Sequence, residues 1–253
     1  MAHTSADEQT GFLLEHGLEE ERVRRELEER LSGDLEFDSG KILGSMCSTP
    51  DPFASEIYTA ELEKNIGDPG LHPELARMER EAVEIIASML GIHGSGSAPP
   101  SGSIVSGGTE ANILALWTAK LSSSPEQRKV VLPETAHFSF DKAASLMDLD
   151  LMKVPVDRFH RFSLESFRKE VDENTMAIVG VAGTTGLGIV DPIPDMADIA
   201  SEAGVYFHVD AAFGGFVLPF LTEAGYRSAD FDFSIDGVDS IAVDPHKMGR
   251  API

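Results

Sequence analysis

Basic residues are scarce in this chain. Its 253 residues include 20 Lys and Arg against 43 Asp and Glu, for a formal net charge of −23. So acidic a chain argues against nucleic acid and anionic membrane as partners. Only eight of the basic residues are lysines. A surface rich in carboxylates and poor in lysine suits concentrated salt, where screening suppresses self-repulsion; an acidic cytosolic protein at ordinary salt has the same balance. Cysteine is nearly absent, and Cys47 alone cannot form an internal disulfide, so nothing points to an oxidising compartment. No apolar run approaches the ~18 residues of a membrane span. Met1–Thr10 is polar and acidic, without the apolar core of a signal peptide. The expected location is the cytoplasm.

What remains is an ordinary soluble composition, 42% hydrophobic and 25% charged, long enough for one large domain with an appendage. Residues 1–10 read as disordered. Leu14, Leu18, Val23, Leu27 and Leu31 recur at near-helical spacing and predict an amphipathic helix over 13–31. An extended arm over 33–52 follows, then helices over 53–64 and 72–90, with Gly91 as a C-cap and a Gly/Ser/Pro-rich loop over 93–102. Short apolar runs then alternate with helical stretches. Strands are predicted at 103–106, 129–132, 151–154, 176–181, 205–209 and 239–243, and helices at 109–121, 139–147, 163–171 and 194–203. That alternation implies βαβ units and a largely parallel sheet covered by helices on both faces. The predicted division is an N-terminal helix and arm, 1–52, and a large α/β domain, 53–253.

The chemistry gathers where apolar runs stop. Ser106-Gly107-Gly108-Thr109-Glu110-Ala111-Asn112 lies where a strand gives way to a helix, so backbone N–H groups can meet an anion there. Thr109 is the expected N-cap and phosphate ligand; without a function it would be a cap only. The sequence lacks the Gly-Lys-Ser/Thr ending of a Walker loop. His137 follows a strand end and could lie flat on a conjugated ring, or be a plain loop histidine. Ala182-Gly183-Thr184-Thr185-Gly186 leaves room for a ligand at another strand end. Val205-Tyr206-Phe207-His208-Val209 leads to Asp210, and Ser240-Ile241-Ala242-Val243 leads to Asp244-Pro245-His246-Lys247. A buried acid and a lysine at neighbouring strand ends suit pyridoxal 5'-phosphate, which takes an amine for its Schiff base and a carboxylate for its pyridine nitrogen. A rival use of His208, Asp210, Asp244 and His246 is a metal-dependent hydrolase, their ligand types being those of zinc or manganese.

The order of these signals, with Lys41 to Cys47, Asn65 to Gly70, His208 to Gly215 and Asp244 to Gly249, resembles the pyridoxal-phosphate-dependent group II decarboxylases. The wording is most similar to the archaeal tyrosine/aspartate branch, in particular a salt-adapted aspartate decarboxylase. The resemblance implies a fold-type-I transferase-like large domain, a homodimer, and decarboxylation of an L-amino acid: L-aspartate to β-alanine, in coenzyme A biosynthesis, or L-tyrosine to tyramine. It implies Lys247, Asp210 and His137 as catalytic residues, and Gly108, Thr109, His137, Thr184, Asp210, Ala212, His246 and Lys247 as cofactor contacts, with no metal. The 44–53 arm would reach the substrate mouth, although Asp51 stands where a histidine is expected. The family continues past its lysine through a further strand and a small C-terminal domain, whereas this chain stops six residues after Lys247. The expectation is a large domain incomplete at its C-terminus, lacking the arginine for the substrate carboxylate. An inactive fragment or non-catalytic partner is the alternative. The charge imbalance predicts that the melting temperature rises from low to molar KCl; a flat or falling profile removes the salt-adaptation reading.

Overall fold

The computed structural model describes residues 17–37, 39–42, 47–92 and 101–253. The predicted disordered 1–10, the start of the 13–31 helix, residues 38 and 43–46 of the arm and most of the 93–102 loop lie outside them. The chain divides into two compact units, residues 1–43 and 44–253. In the first, helix α1 spans Glu20–Leu31, is held by the Arg22–Glu26 (2.7 Å) and Arg24–Glu20 ion pairs, and has no buried residue. Pairs this exposed add little stability each.

The second unit is built on five parallel strands in the order β2-β1-β3-β4-β5. They are β1 (Lys129–Pro133), β2 (Asp150–Val154), β3 (Thr175–Val181), β4 (Tyr206–Asp210) and β5 (Ser240–Ala242). Strand β3 is central and wholly buried, which is why its sequence is apolar without alternation. At one edge β2 leaves Asp150 and Lys153 exposed, charges that discourage further pairing.

Side-chain alternation sorts the core into two layers. Val130, Leu132, Ala177 and Val179 face Leu116 and Ala119 of α4 (Gly108–Ser122) and Phe140 and Ala143 of α5 (Ser139–Met147). Val131, Ile178, Phe207 and Val209 pack with α6 (Leu164–Glu170) through Phe167 and with α7 (Ile193–Ala203) through Met196 and Ala200. Because Phe207 and Val209 serve the second layer, the intervening His208 and the terminal Asp210 face α4. This parity places an acid opposite a helix N-terminus.

Before the sheet, α2 spans Pro52–Ala60 and α3 Pro73–Met89. Asp51 is the N-cap of α2, accepting from the Phe53 and Ala54 N–H groups. Leu90 occupies the C-cap of α3, and Gly91 is the next residue, at φ +89°. The Gly91 and Ile92 N–H groups return to the Ser88 and Ala87 carbonyls, a Schellman closure that favours glycine. A short 3-10 turn, Gly214–Phe216, and α8, Leu218–Leu221, follow β4; neither was expected from periodicity.

Two expectations need correction. Residues 103–106 form no strand. The Ile104 N–H donates to Glu79 Oε1, and Ser106 donates through N and Oγ to Glu110 Oε2. Side chains thus take the backbone groups that a ladder would use. Nor is Thr109 an N-cap: α4 begins at Gly108 after Gly107, so Thr109 lies inside the first turn.

Close approach after β4 makes Gly214 irreplaceable. A Cβ there would stand 2.2 Å from the Ala182 carbonyl oxygen, which cannot withdraw because it accepts the Gly214 N–H at 3.0 Å. Gly214→Ala is expected to cost roughly 3 kcal/mol and to lower the melting temperature by about 5–10 °C. Gly186→Ala, whose Cβ meets open space, should melt within about 1 °C of wild type. Equal melting of both variants with wild type would refute the packing described.

Candidate active site

A cavity of about 360 Å³ opens where β4 and β5 end and α4 begins. Gly108 and Thr109 bring the first turn of α4 to its wall, with unsatisfied N–H groups and the positive end of the helix dipole. His137, Asp210, Ala212, His246 and Lys247 also line it. The structure therefore brings seven of the eight expected cofactor contacts together. Thr184 is the exception. It is buried, its Oγ1 accepts the Ile189 N–H, and its backbone pairs with Ile189 and Gly188. The neighbouring Thr185 lines the cavity instead.

Asp210 is 5% exposed at the end of β4. A carboxylate so placed needs donors. Its Oδ1 accepts the Ala212 N–H at 3.1 Å and its Oδ2 accepts Asn112 Nδ2 at 3.0 Å. Asn112 is one helical turn beyond Gly108, so both belong to the same side of α4. The Asn112 amide also meets His208 Nε2 (2.9 Å) and Ser139 Oγ (3.0 Å), and His208 Nδ1 meets Ser240 Oγ (2.8 Å). Burial pushes the His208 imidazole well below its usual pKa, outweighing the Asp210 charge that raises it. With both ring nitrogens engaged, His208 has none left for a metal. Among the described residues no group of three or more His, Cys, Asp or Glu could hold one, so the metal-hydrolase rival loses its support.

Lys247 follows β5 in a turn closed by its own N–H to the Asp244 carbonyl. Its Nζ lies 2.8 Å from Asp244 Oδ2, with both side chains largely buried. Asp244 also packs against the first turn of α4, where a Cβ on Gly108 would come within 2.7 Å of Oδ2. The arm grips the lysine's turn: Ser48 Oγ donates to the Lys247 carbonyl, the Asp51 N–H to the Arg250 carbonyl, and Arg250 Nε to the Thr49 carbonyl. Arg250 is thereby turned toward the arm. His137 accepts the Ser139 N–H on Nδ1 and has the Phe138 ring 4.2 Å away. Its pKa is lowered, chiefly by burial, with Asp210 opposing and Lys247 reinforcing the shift.

Residues 43–253 match the model of the pyridoxal-dependent decarboxylase conserved domain. The chain belongs to that family. It is 48% identical over 239 residues to an L-aspartate decarboxylase of Thermococcus kodakarensis, a match covering 94% of this chain and 61% of the relative. It is 44% identical over 220 residues to a probable L-tyrosine/L-aspartate decarboxylase of Methanothermobacter thermautotrophicus, over 87% and 59%. Among solved structures it resembles a sphingosine-1-phosphate lyase of Burkholderia pseudomallei (TM-score 0.87, 31% identity, 99% and 61% covered). It also resembles a glutamate decarboxylase of Lactobacillus brevis (TM-score 0.83, 28% identity, 95% and 57% covered). The chain thus spans about 60% of the length of these relatives.

The cavity's residues fit pyridoxal 5'-phosphate, the cofactor of this family. A helix N-terminus free of side-chain caps suits a phosphate, a donor-supported buried carboxylate suits a ring N–H, and an enclosed lysine suits a covalent link. Asn112, Ser139 and Ser240 had no predicted role. The signal for Asn112 was its four-residue spacing from Gly108; Ser240 could be paired with His208 only once strand register was known.

The Ala182–Val190 loop that carries Thr185 is fixed by Asp191. Its N–H donates to the Val181 carbonyl, and its Oδ2 accepts the Val181 N–H at 2.8 Å. Burial, opposed by that hydrogen bond, raises the Asp191 carboxyl from 3.8 to about 7. The folded protein holds this proton after the unfolded chain has released it, so stability falls as pH rises from 3.8 to about 7. Asp191→Asn keeps an acceptor for Val181 and removes the ionisation. It should flatten this part of the stability profile and stabilise the protein above pH 7 by on the order of 2 kcal/mol. Denaturant midpoints from pH 4 to 8 check this; an unchanged slope would contradict it.

Proposed function

We propose that this protein is a pyridoxal-phosphate-dependent carboxy-lyase acting on an L-amino acid, converting L-aspartate to β-alanine. The observation that carries the proposal is the meeting of Lys247 and Asp210 in one cavity beside the first turn of α4. Aspartate is favoured because it is named for both groups of relatives, the Thermococcus enzyme and the methanogen enzyme whose printed name adds tyrosine. Tyrosine to tyramine is accordingly the second reading.

Each residue has a role that its surroundings support. The Lys247 amine would be the attachment point for the cofactor. The Gly108 and Thr109 backbone binds the phosphate, with His246 beside it. Asp210 accepts the ring N–H and keeps that proton in place. His137 and Ala212, which line the cavity, would pack against the ring. When bound, the cofactor supplies an electron sink for the pair left behind as the α-carboxylate departs as CO2. Asp244, ion-paired to Lys247, holds the amine in position. Through Ser48, Thr49 and Asp51 the arm supports the lysine's turn beside the substrate mouth. The proposal includes a homodimer and a link to coenzyme A biosynthesis, supported by family resemblance, together with a cytoplasmic location, supported by the lone cysteine, and salt adaptation, supported by the net charge of −23 and the scarcity of lysine.

Borohydride reduction of the protein with bound pyridoxal 5'-phosphate should place the pyridoxyl group on Lys247. Asp210→Asn should retain the cofactor but lose at least about 100-fold in CO2 release from aspartate, roughly 2.7 kcal/mol of barrier. Label on another lysine would overturn the site, and near-normal turnover in Asp210→Asn would overturn the role of the acid. Tyramine from tyrosine without β-alanine from aspartate would replace the substrate.

A further inference from the structure

Asp210 is held by more than its own backbone. Asn112 carries two amide hydrogens and one carbonyl oxygen. The hydrogens are directed to Asp210 Oδ2 (3.0 Å) and Ser139 Oγ (3.0 Å). Its Oδ1 must therefore accept from His208 Nε2 at 2.9 Å, which puts the His208 proton on Nε2. Nδ1 is then bare and accepts the Ser240 hydroxyl at 2.8 Å. The hydrogen bonds along this line run one way: Ser240 to His208, His208 to Asn112, Asn112 to Asp210; the Tyr206 hydroxyl also hydrogen-bonds the Ser240 side chain, and as a donor to Ser240 Oγ it leaves that direction unchanged. Asn112 and His208 are each 1% exposed. Phe140 packs edge-on to His208 with centroids 6.1 Å apart, leaving Asp210 as the charged group that acts on the imidazole.

We propose that Ser240, His208 and Asn112 are positioning residues that orient the Asp210 carboxylate and polarise it toward the cofactor's ring nitrogen. Deepening the functional proposal above, this depends on Asp210 being the partner of that nitrogen. Four elements meet in the relay: Ser240 on β5, His208 and Asp210 on β4, Asn112 on α4, and Ser139 at the start of α5. A neutral His208 is required, because an imidazolium would present a second N–H to Ser240, reverse that first link and add a positive charge beside Asp210. The strong burial of the ring favours that neutral form. Asn112 gives Asp210 a donor without adding a charge, so the carboxylate keeps its full negative charge for the ring N–H. A lysine or arginine in place of Asn112 would neutralise it.

Two measurements test the relay. Nitrogen-15 NMR of the wild-type protein without cofactor should show His208 neutral, with its proton on Nε2, from pH 6 to 8. A proton on Nδ1, or an imidazolium in that range, overturns the proposal without reference to any cofactor. Titration with pyridoxal 5'-phosphate is then followed by absorbance in Asn112→Leu, His208→Leu, His208→Gln and Ser240→Ala. Asn112→Leu and His208→Leu should bind about tenfold more weakly, the worth of a hydrogen bond to a charged group. They should also shift the pH midpoint of the bound cofactor's visible band. His208→Gln, whose amide can still donate to Asn112, should restore most of both properties, and Ser240→Ala should give a smaller shift of the same sign. A purely structural role would lower the melting temperature of these variants and leave affinity and midpoint at wild-type values in the folded protein; that result overturns the relay. Should Asn112→Leu fail to fold, the His208 pair and Ser240→Ala decide. Borohydride labelling of Lys247 in the same samples separates the two proposals. Labelled Lys247 with unmoved spectra sinks the relay alone, whereas absence of label in the wild type sinks the site.

Discussion

The structure turns on the burial of one carboxylate. Asp210 sits at the end of β4 with little access to water, and an unpaired charge there would cost several kcal/mol. Two neutral donors, the Ala212 N–H and the Asn112 amide, reduce that cost without cancelling the charge. An arginine partner would have cancelled the charge, whereas neutral donors leave a negative potential directed into the cavity. The constraint extends outward. Asn112 must lie one turn into a helix whose start faces the same cavity, and β4 must present alternate residues to that helix.

Parallel strands meet these demands economically. Each strand enters the sheet from the same end, so β1, β3, β4 and β5 deliver His137, Thr185, Asp210 and Lys247 to a common rim. The hydrophobic residues facing α7 fix which way β4 faces. A slip of one residue would bury His208 and Asp210 against Met196 and Ala200, where no donor is available. Core packing and site chemistry thus select the same register.

Much of this could be read from residues alone. Buried parallel strands leave unbroken apolar runs, and β1 to β5 were located within one or two residues of their ends. Strand 103–106 failed because pairing depends on a neighbour, and Ile104 and Val105 gave no sign that Glu79 and Glu110 would take the local backbone groups. Thr109 was misread as a cap because a hydroxyl is the usual capping signal, whereas Gly107 fills the position without one. Thr184 and Thr185 could not be separated, since which of two adjacent hydroxyls turns inward depends on the Ile189 hydrogen bonds across the loop. The Asn112–Asp210 contact joins positions 98 residues apart, and local periodicity carries no information at that range.

The grip of the arm on the lysine's turn has a temporal side. Ser48 and Lys247 are separated by 199 positions, and closing so long a loop comes at an entropic cost that local contacts cannot repay in advance. The sheet can form its layers from neighbouring crossovers, yet the Lys247 amine gains its fixed turn only when both extremities of the second unit have met. A fixed Lys247 turn therefore reports the completion of folding, and partly folded chains with an intact sheet would leave the amine unrestrained.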